Sequence, residues 1–346
     1  MSSQHTHADH SRVTTTIDFD KDGKQVSFLA IPISTDDSAY GTVTVPITVI
    51  KNGQGPTIYL SGGVHGDEFE GPIALMKLVR RLEANDVQGR LIITPCLNLP
   101  AVMAGKRCSP MDGLNLNRVF PGDPNGSVTE VIAHYVSSVL LPICDVQIDL
   151  HSGGNTLDFI PFVQMIRSRD KALERRTLEA CKVFGTPIGL LTTELDPAGN
   201  LETICDELGV MTIQSELGGG GTVSKTNVGY AETGAMNLLK YFGVIQGDIV
   251  KPQDQGRPPM RLMQFRDTSS YVMSPDDGLF EPFFELGDPC EKGNAIGQVH
   301  YPHHIEKPPW LVHATCDGTV LSKRPPGIVR RGDNVAIIAQ DLGEDE

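Results

Sequence analysis

The sequence predicts an α/β fold in which helices cover both faces of a mostly parallel or mixed sheet, followed by a small, barrel-like all-β domain. Apolar runs typical of buried strands alternate with amphipathic helical segments between residues 55 and 245. Residues 15–50 alternate polar and apolar positions, as antiparallel strands do, and only short strand signals follow residue 250. The chain has 346 residues, 39% of them hydrophobic, which is enough apolar material for a sizeable core.

Three parts are predicted along the chain. Residues 1–14 are polar and lack the apolar core of a signal peptide, so we expect a disordered tail and a cytoplasmic protein. Residues 15–250 hold the alternating strands and helices and form the main α/β domain. Residues 251–346 begin with the linker-like KPQDQGRPP and then twice repeat a turn and an apolar strand, which predicts a β domain with two similar halves.

Composition narrows the class of partner. The formal net charge of −14 disfavours nucleic acid, because a phosphate backbone requires a basic surface. No apolar stretch reaches the ~20 residues that a membrane helix needs. The seven cysteines are scattered without a C-x-x-C pair, which argues against a disulfide framework and against a cysteine-rich zinc site. We therefore expect a small-molecule partner, and a homo-oligomer stays open.

Strand and helix signals alternate within the main domain. The predicted buried strands are TIYLSGG, GRLIITPCLN, DVQIDLH, PIGLLTT and MTIQSEL. Pro72 suits the first turn of a helix, and a capping box from Ser127 to Glu130 predicts a second helix that runs through Leu140. Further helices are predicted near 170–184, near 200–208 and in NVGYAETGAMNLLKYFGV. In such a sheet, ligands bind beyond the carboxyl ends of the strands.

The turn after the first buried strand carries a candidate metal motif, SGGVHGDEFEGP. His65 and Glu68 are spaced by three residues, which brings both side chains to one side of a turn, and both are good zinc ligands. The surrounding glycines predict a tight turn with open space above it. Asp67 is a competing ligand or a partner that orients His65.

Two further strand ends complete the candidate site. His151 ends DVQIDLH and gives a set of two histidines and one glutamate, which leaves a coordination position of zinc open for water. Asp149 lies two residues earlier on the same strand face and is a candidate acceptor for the imidazole hydrogen. Glu216 ends the strand MTIQSEL before four glycines and is a candidate general base.

A segment between these strands, GLNLNRVFPG, carries candidate substrate anchors. The guanidinium of Arg118 can bind a carboxylate through two parallel hydrogen bonds, and Asn117 lies beside it. Leu116, Val119 and Phe120 are expected to be buried, so the segment lies against the core.

The order H-x-x-E, N-R, strand-end His and late Glu resembles the zinc carboxypeptidase superfamily. Within it, GGVHGDEFEGP, NLNRVFPG, DLHSGG and SELGGGG resemble the succinylglutamate desuccinylase/aspartoacylase family over roughly residues 40–245. The β segment at the C-terminal end is similar to that family's appended domain. The resemblance implies a zinc-carboxypeptidase-like fold, one zinc ion held by His65, Glu68 and His151, and Glu216 as general base.

Longer stretches narrow the implied substrate. DDSAYGTVTVPITVIKNGQGPT and DLHSGGNTLDFIPF resemble the family members that remove acetate from N-α-acetyl-L-2,4-diaminobutyrate in ectoine breakdown. The resemblance implies that Asn117 and Arg118 hold the substrate α-carboxylate. The alternatives are another N-acyl amino acid deacylase of the family, a zinc carboxypeptidase, and a non-catalytic binding or carrier protein built on the β domain.

The chain departs from the family pattern at one position. Aspartoacylases carry an arginine that polarises the carbonyl eight residues before the arginine of N-R, and Pro110 stands at that position here. Arg107 is the candidate replacement. A diaminobutyrate substrate also requires an acid to face its side-chain ammonium, and the sequence offers Asp112 or Asp158.

Overall fold

The computed structural model describes residues 11–168, 170–192 and 198–343, and it opens with a long antiparallel hairpin. The hairpin consists of β1 (Gly23–Thr35) and β2 (Ser38–Asn52). Most of the predicted tail, residues 1–10, lies outside the described residues. Thr14 exchanges two backbone hydrogen bonds with Ala30 of β1, so the chain is already paired with the sheet at that point.

A mixed sheet forms the centre of the molecule. Its next strands are β3 (Thr57–Gly62), β4 (Gly89–Thr94), β5 (Val146–His151), β6 (Asp158–Phe159), β7 (Phe162–Ile166), β8 (Ile188–Thr192) and β9 (Met211–Glu216). The strands follow the order β1-β2-β4-β3-β5-β9-β7-β8, and β4, β3, β5 and β9 are parallel neighbours. The carboxyl ends of β3, β5 and β9 therefore meet at one edge of the sheet.

Helices cover both faces of this sheet, as predicted. They are α1 (Glu70–Arg81), α2 (Leu99–Ala104), α3 (Val128–Tyr135), α4 (Lys171–Phe184), α5 (Leu201–Leu208) and α6 (Lys225–Tyr241). Side chains of α1, α4 and α6 share one apolar core, and side chains of α3 and α5 share another with the hairpin. Single 3₁₀ turns span Ala84–Asp86, Leu116–Arg118, Leu141–Ile143, Pro252–Gln255 and Thr268–Ser270. Among the described residues, no helix combines the length and the apolarity required to cross a membrane.

The capping box at the start of α3 is confirmed. Backbone N–H of Ser127 donates to the Glu130 carboxylate at 2.8 Å, and Ser127 stands at the N-cap position. Regular α-helix ends at Tyr135, and the predicted remainder to Leu140 continues as a wider π turn.

The elements that the sequence analysis does not predict include α2 and β7. The helix α2 has only six residues and carries a proline near its start, so it offers too few positions for a helical period. The strand β7 has only five residues and lies between β9 and β8, antiparallel to β9. Its register places Phe162 opposite Glu216, so this strand borders the candidate site.

The remainder of the chain is built of strands, as predicted. They are β10 (Arg261–Gln264), β11 (Tyr271–Met273), β12 (Gly278–Pro282), β13 (Pro289–Cys290), β14 (Ala295–His300), β15 (Trp310–His313), β16 (Gly318–Lys323), β17 (Ile328–Val329) and β18 (Asn334–Asp341). Four of them form a separate antiparallel sheet in the order β15-β14-β12-β17. The large sheet continues from β8 through β10, β18, β16 and β13, so backbone hydrogen bonds cross the predicted boundary at residue 250.

Candidate active site

The turn after β3 places His65 and Glu68 inside the protein. His65 is 3% exposed and Glu68 is 2% exposed, and α1 begins two residues after Glu68. Gly66 packs so closely on α2 that a Cβ atom there would overlap with the backbone carbonyl of Ala101. Close packing, and not the expected open space, is therefore the reason for glycine at this position.

His65, Glu68 and His151 converge, as the strand ends predict. Nδ1 of His65 lies 2.8 Å from Oε1 of Glu68, and Nδ1 of His151 lies 2.8 Å from Oε2. The two imidazole ring centroids are 5.1 Å apart. One donor atom from each residue lies within 4.8 Å of the others, which makes this cluster suitable for a metal ion. Two imidazoles and one carboxylate match the donor set of a zinc site that keeps an open position.

The second nitrogen of each ring is held by an acceptor. Nε2 of His151 lies 2.9 Å from Oδ2 of Asp149, so the predicted contact between these two residues is confirmed. Nε2 of His65 lies 3.0 Å from Oδ1 of Asn115, a residue that the sequence analysis does not single out. Acceptors on the outer nitrogens fix the ring orientation and leave both Nδ1 atoms directed towards Glu68, as a metal site requires.

A chain of buried hydrogen bonds holds the Asp149 carboxylate in place. The hydroxyl of Ser61 donates to Oδ1 of Asp149 at 2.7 Å, and the amide of Gln147 donates to the Ser61 oxygen at 3.0 Å. Thr212 donates to Oε1 of Gln147 at 2.6 Å. These residues belong to β3, β5 and β9, so the sheet itself fixes the position of the carboxylate that orients His151.

Charges within the cluster shift the pKa values in different directions. Burial lowers the pKa of His65, which favours the neutral imidazole that binds metal. Burial alone would raise the pKa of Glu68, but the two neighbouring histidines hold it well below its ordinary value. The pKa of His151 is raised despite burial, because Asp149 and Glu68 stabilise its protonated form. Metal binding at His151 therefore displaces a proton.

Asp67 has a different role from either of the expected ones. Its Oδ2 accepts a hydrogen bond from the backbone N–H of Asn155 at 2.8 Å. Gly154 has a positive φ of 56°, and a Cβ atom there would lie 2.5 Å from the same oxygen. Asp67 thus holds the loop after β5 in place, and it contacts neither His65 nor the metal cluster.

Glu216 ends β9 directly beside His151, its register partner on β5. No described group hydrogen-bonds to its buried Oε2 atom. Burial raises the pKa of Glu216 to about 8, and the nearby Glu68 carboxylate adds to the rise. A carboxyl group with a pKa near neutrality can both accept and release a proton under physiological conditions.

A cavity of about 340 Å³ opens over these strand ends. Six of the seven predicted site residues line it, namely His65, Arg107, Asn117, Arg118, His151 and Glu216. A groove of about 380 Å³ between α1 and α6 contains none of them. The strand ends therefore gather the predicted residues around one small-molecule cavity.

The two predicted substrate anchors are tied to the start of α5. Oδ1 of Asn117 accepts the backbone N–H of Leu201 at 2.8 Å, which leaves its amide NH₂ group for a ligand. NH1 of Arg118 donates to Oδ1 of Asn200 at 2.8 Å and to the backbone oxygen of Asn117 at 2.6 Å. These bonds fix the guanidinium at the cavity wall.

Arg107 reaches the metal cluster, whereas Pro110 does not. NH1 of Arg107 lies 3.3 Å from Nδ1 of His65 and 3.4 Å from Oε1 of Glu68, and its side chain is 47% exposed. Pro110 is exposed and does not line the cavity. Arg107 is thus the arginine of this segment that is close enough to contact a substrate at the cluster.

The two acids expected to face a substrate ammonium do not line the cavity. Asp112 accepts hydrogen bonds from the backbone N–H and the hydroxyl of Thr129, so it holds the start of α3. Asp158 lies on β6 opposite Lys323. Among the described residues, the acids that line the cavity are Glu202 and Glu216. Glu202 was not predicted; its place in the first turn of a helix beside a strand-end cavity could have drawn attention to it.

The C-terminal segment contributes a wall of the cavity. Phe265, Tyr271 and Ile337 line it, although the sequence analysis assigned no site residue to this segment. The rings of Phe265 and Tyr271 contact each other with centroids 5.5 Å apart. Burial raises the pKa of Tyr271 to about 12, so the phenol stays protonated next to Glu216.

Known proteins resemble this chain along nearly its whole length. Residues 54–242 match the model of the succinylglutamate desuccinylase/aspartoacylase catalytic domain. The N-alpha-acetyl-L-2,4-diaminobutyric acid deacetylase of Halomonas elongata is 45% identical over 340 residues, which cover 98% of each chain. The product-bound structure of the ectoine utilization protein EutE (DoeB) from Ruegeria pomeroyi is 42% identical and has a TM-score of 0.91, covering 95% of this chain and 99% of that one.

A further solved structure agrees in fold. The succinylglutamate desuccinylase/aspartoacylase from Rhodobacter sphaeroides is 40% identical with a TM-score of 0.91, and the match covers 96% of this chain and 100% of that one. These similarities extend through the C-terminal strands, so they confirm the predicted fold class for both parts of the chain. Because the family model matches more than half of the chain and the relatives match almost all of it, the chain belongs to the succinylglutamate desuccinylase/aspartoacylase family.

Proposed function

We propose that the protein is a zinc-dependent amidohydrolase that removes the acetyl group from N-α-acetyl-L-2,4-diaminobutyrate. The products are diaminobutyrate and acetate, and the reaction belongs to ectoine degradation. The observation that carries the proposal is the convergence of His65, Glu68 and His151 in a chain that is 45% identical to a deacetylase of that name over 98% of both chains.

The metal roles follow from the donor set. His65 and His151 would bind zinc through their Nδ1 atoms, and Glu68 would bind through its carboxylate. Bound zinc supplies Lewis acidity, which activates water at neutral pH and polarises a carbonyl oxygen. Asn115 and Asp149 hold the outer ring nitrogens and keep the two imidazoles in the orientation that binding requires.

Glu216 is the proposed general base. Its Oε2 atom is buried beside His151 and has no described hydrogen-bond donor, so it can take a proton from the attacking water. The protonated carboxyl group then returns this proton to the departing α-amine of the substrate. Its raised pKa supports the second half of this cycle, since a buried carboxyl group holds the proton until the amine leaves.

The arginines bind the substrate at two places. Arg118 and Asn117 are the proposed anchors of the α-carboxylate, because both line the cavity and are fixed by α5. Arg107 is the proposed electrophile beside the cluster, where its guanidinium stabilises the negative charge that develops on the carbonyl oxygen. A cytoplasmic location and a homo-oligomeric state stay predictions from the sequence.

The test is acetate release combined with metal analysis of the purified protein. We expect about one zinc per chain and turnover of N-α-acetyl-L-2,4-diaminobutyrate in preference to N-acetylaspartate, N-succinylglutamate and peptides with free C-termini. Preference for one of the acidic substrates would replace the proposal with another acylase of the family. Preference for peptides would replace it with a carboxypeptidase.

A further inference from the structure

We infer that Glu202 selects substrates with a cationic side chain by forming an ion pair with the side-chain ammonium of a diamino acid. This inference rests on the proposed function, since it names the residue that binds the substrate side chain. It replaces the two acids suggested by the sequence, Asp112 and Asp158, which do not line the cavity.

Glu202 lies in the wall of the proposed substrate cavity. Glu202 is 7% exposed, belongs to the first turn of α5 and lines the same cavity as the metal cluster. The other acid that lines the cavity within the described part of the chain is Glu216, whose place beside His151 suits it for proton transfer. Glu202 is therefore the described acid of the cavity wall that has no proposed part in proton transfer.

Glu202 lies next in sequence to the residues that hold the proposed carboxylate anchors. In 2,4-diaminobutyrate, two methylene groups separate the ammonium from the α-carbon, so the cation must bind close to the group that holds the α-carboxylate. Asn200 accepts a hydrogen bond from Arg118, and Leu201 donates its N–H to Asn117. Glu202 follows these two residues directly. One short segment thus presents a carboxylate near the proposed carboxylate anchors.

Desolvation makes this carboxylate decisive for specificity. A substrate ammonium that binds beside the buried Glu202 side chain loses water, and this loss is costly without an opposite charge. A charge-assisted hydrogen bond to Glu202 compensates for the loss and corresponds to about 10- to 100-fold in apparent affinity. The same carboxylate repels an acidic side chain, so it also disfavours acetylaspartate-like substrates.

The experiment compares zinc-loaded wild-type protein with Glu202→Gln and Glu202→Asp on two substrates of matched shape. N-α-acetyl-2,4-diaminobutyrate carries the ammonium, and N-acetylnorvaline carries a methyl group in its place. We expect Glu202→Gln to lower kcat/KM for the cationic substrate about 10- to 100-fold, mainly through KM, and to leave the neutral substrate nearly unchanged. Glu202→Asp keeps the charge and should retain part of the preference.

Asp158→Asn is the matched control, because it removes an acid outside the cavity and should leave the ratio of the two substrates unchanged. Zinc content and Tm of each variant show whether the fold is intact. Equal losses for both substrates in Glu202→Gln, or an unchanged ratio, would overturn the inference.

Calorimetric binding separates this inference from the proposed function. Wild-type protein should bind free diaminobutyrate more tightly than norvaline, and Glu202→Gln should lose this difference. If wild-type protein releases no acetate but shows the binding preference and its loss, the proposed reaction is wrong and the role of Glu202 stands. If acetate is released and the variant keeps the preference, the reaction stands and Glu202 is excluded.

Discussion

Nε2 of His151 lies 2.9 Å from Oδ2 of Asp149, two residues earlier on the same strand, while Nδ1 of the same ring faces Glu68. The contact divides the two nitrogens between an orienting carboxylate and the proposed metal position. We therefore expect Asp149→Asn to weaken zinc affinity about 10- to 100-fold, because the imidazole loses the acceptor that orients it. Competition with a chelator measures the affinity. Asp158→Asn is the control, and an unchanged affinity in Asp149→Asn would contradict the role.

Replacing Glu216 with glutamine should separate metal binding from turnover. The side chain keeps its size but can no longer take a proton, so we expect kcat to fall by about 10²- to 10⁴-fold while zinc content stays that of the wild type. Metal analysis and acetate release on the same preparation provide both values. A variant that retains turnover would exclude Glu216 as the base.

The pKa of Glu216 also predicts how the metal-free protein responds to pH. Burial raises this pKa to about 8 from an ordinary value of 4.5, so between these values the folded state keeps a proton that the unfolded chain releases. Stability from this group is present at low pH and is lost as pH rises towards about 8. Between pH 4.5 and about 8, we expect the Tm of the chelator-treated wild type to fall relative to that of Glu216→Gln. Above about pH 8, the difference between the two Tm values should become constant. A gap that does not change with pH would argue against the buried carboxyl group.

Arg118→Ala should act mainly on KM. The guanidinium is fixed by Asn200, so its removal takes away a positioned donor pair for the α-carboxylate, and we expect KM to rise about 10- to 100-fold. N-acetyl-1,3-diaminopropane, which lacks the carboxylate, is the control substrate and should be processed equally by both proteins. Equal losses on the two substrates would assign Arg118 to the structure of the wall.

Two glycines provide a matched test of packing around the turn. A Cβ atom at Gly66 would overlap with the Ala101 carbonyl, whereas a Cβ atom at Gly229 of α6 meets no atom within 4 Å. We expect Gly66→Ala to lower the free energy of unfolding by about 1–3 kcal/mol and Gly229→Ala to raise it by about 0.5–1 kcal/mol. Denaturant unfolding measures both. A neutral Gly66→Ala would mean that α2 can move away from the turn.

Sequence patterns were sufficient to predict which residues form the centre of the site. His65, His151 and Glu216 follow strands that are long, apolar and parallel, and such strands end at a common edge, so their convergence follows from topology. The capping box at Ser127 is equally local, because both of its partners lie within one helical turn.

The residues of the cavity wall could not be predicted, because long-range contacts bring them together and sequence spacing does not reveal such contacts. The positions of Asn115, before a 3₁₀ turn, and of Glu202, in α5, are set by tertiary packing, and Asp112 instead holds the start of α3. The short strand β7 brings Phe162 to the cavity, and its five residues are too few for a reliable period. Long-range packing therefore decides which acids line the cavity.

The pairing of β10 with both β8 and β18 has a mechanical consequence for catalysis. Main-chain hydrogen bonds join β10 to β8 and β18, and β11 pairs with β18, so Phe265 and Tyr271 are attached to the same sheet as the strands that carry the imidazoles. We expect this pairing to oppose a clamshell motion between two lobes. Substrate entry and product exit would then depend on local movement of side chains or loops at the rim of the cavity.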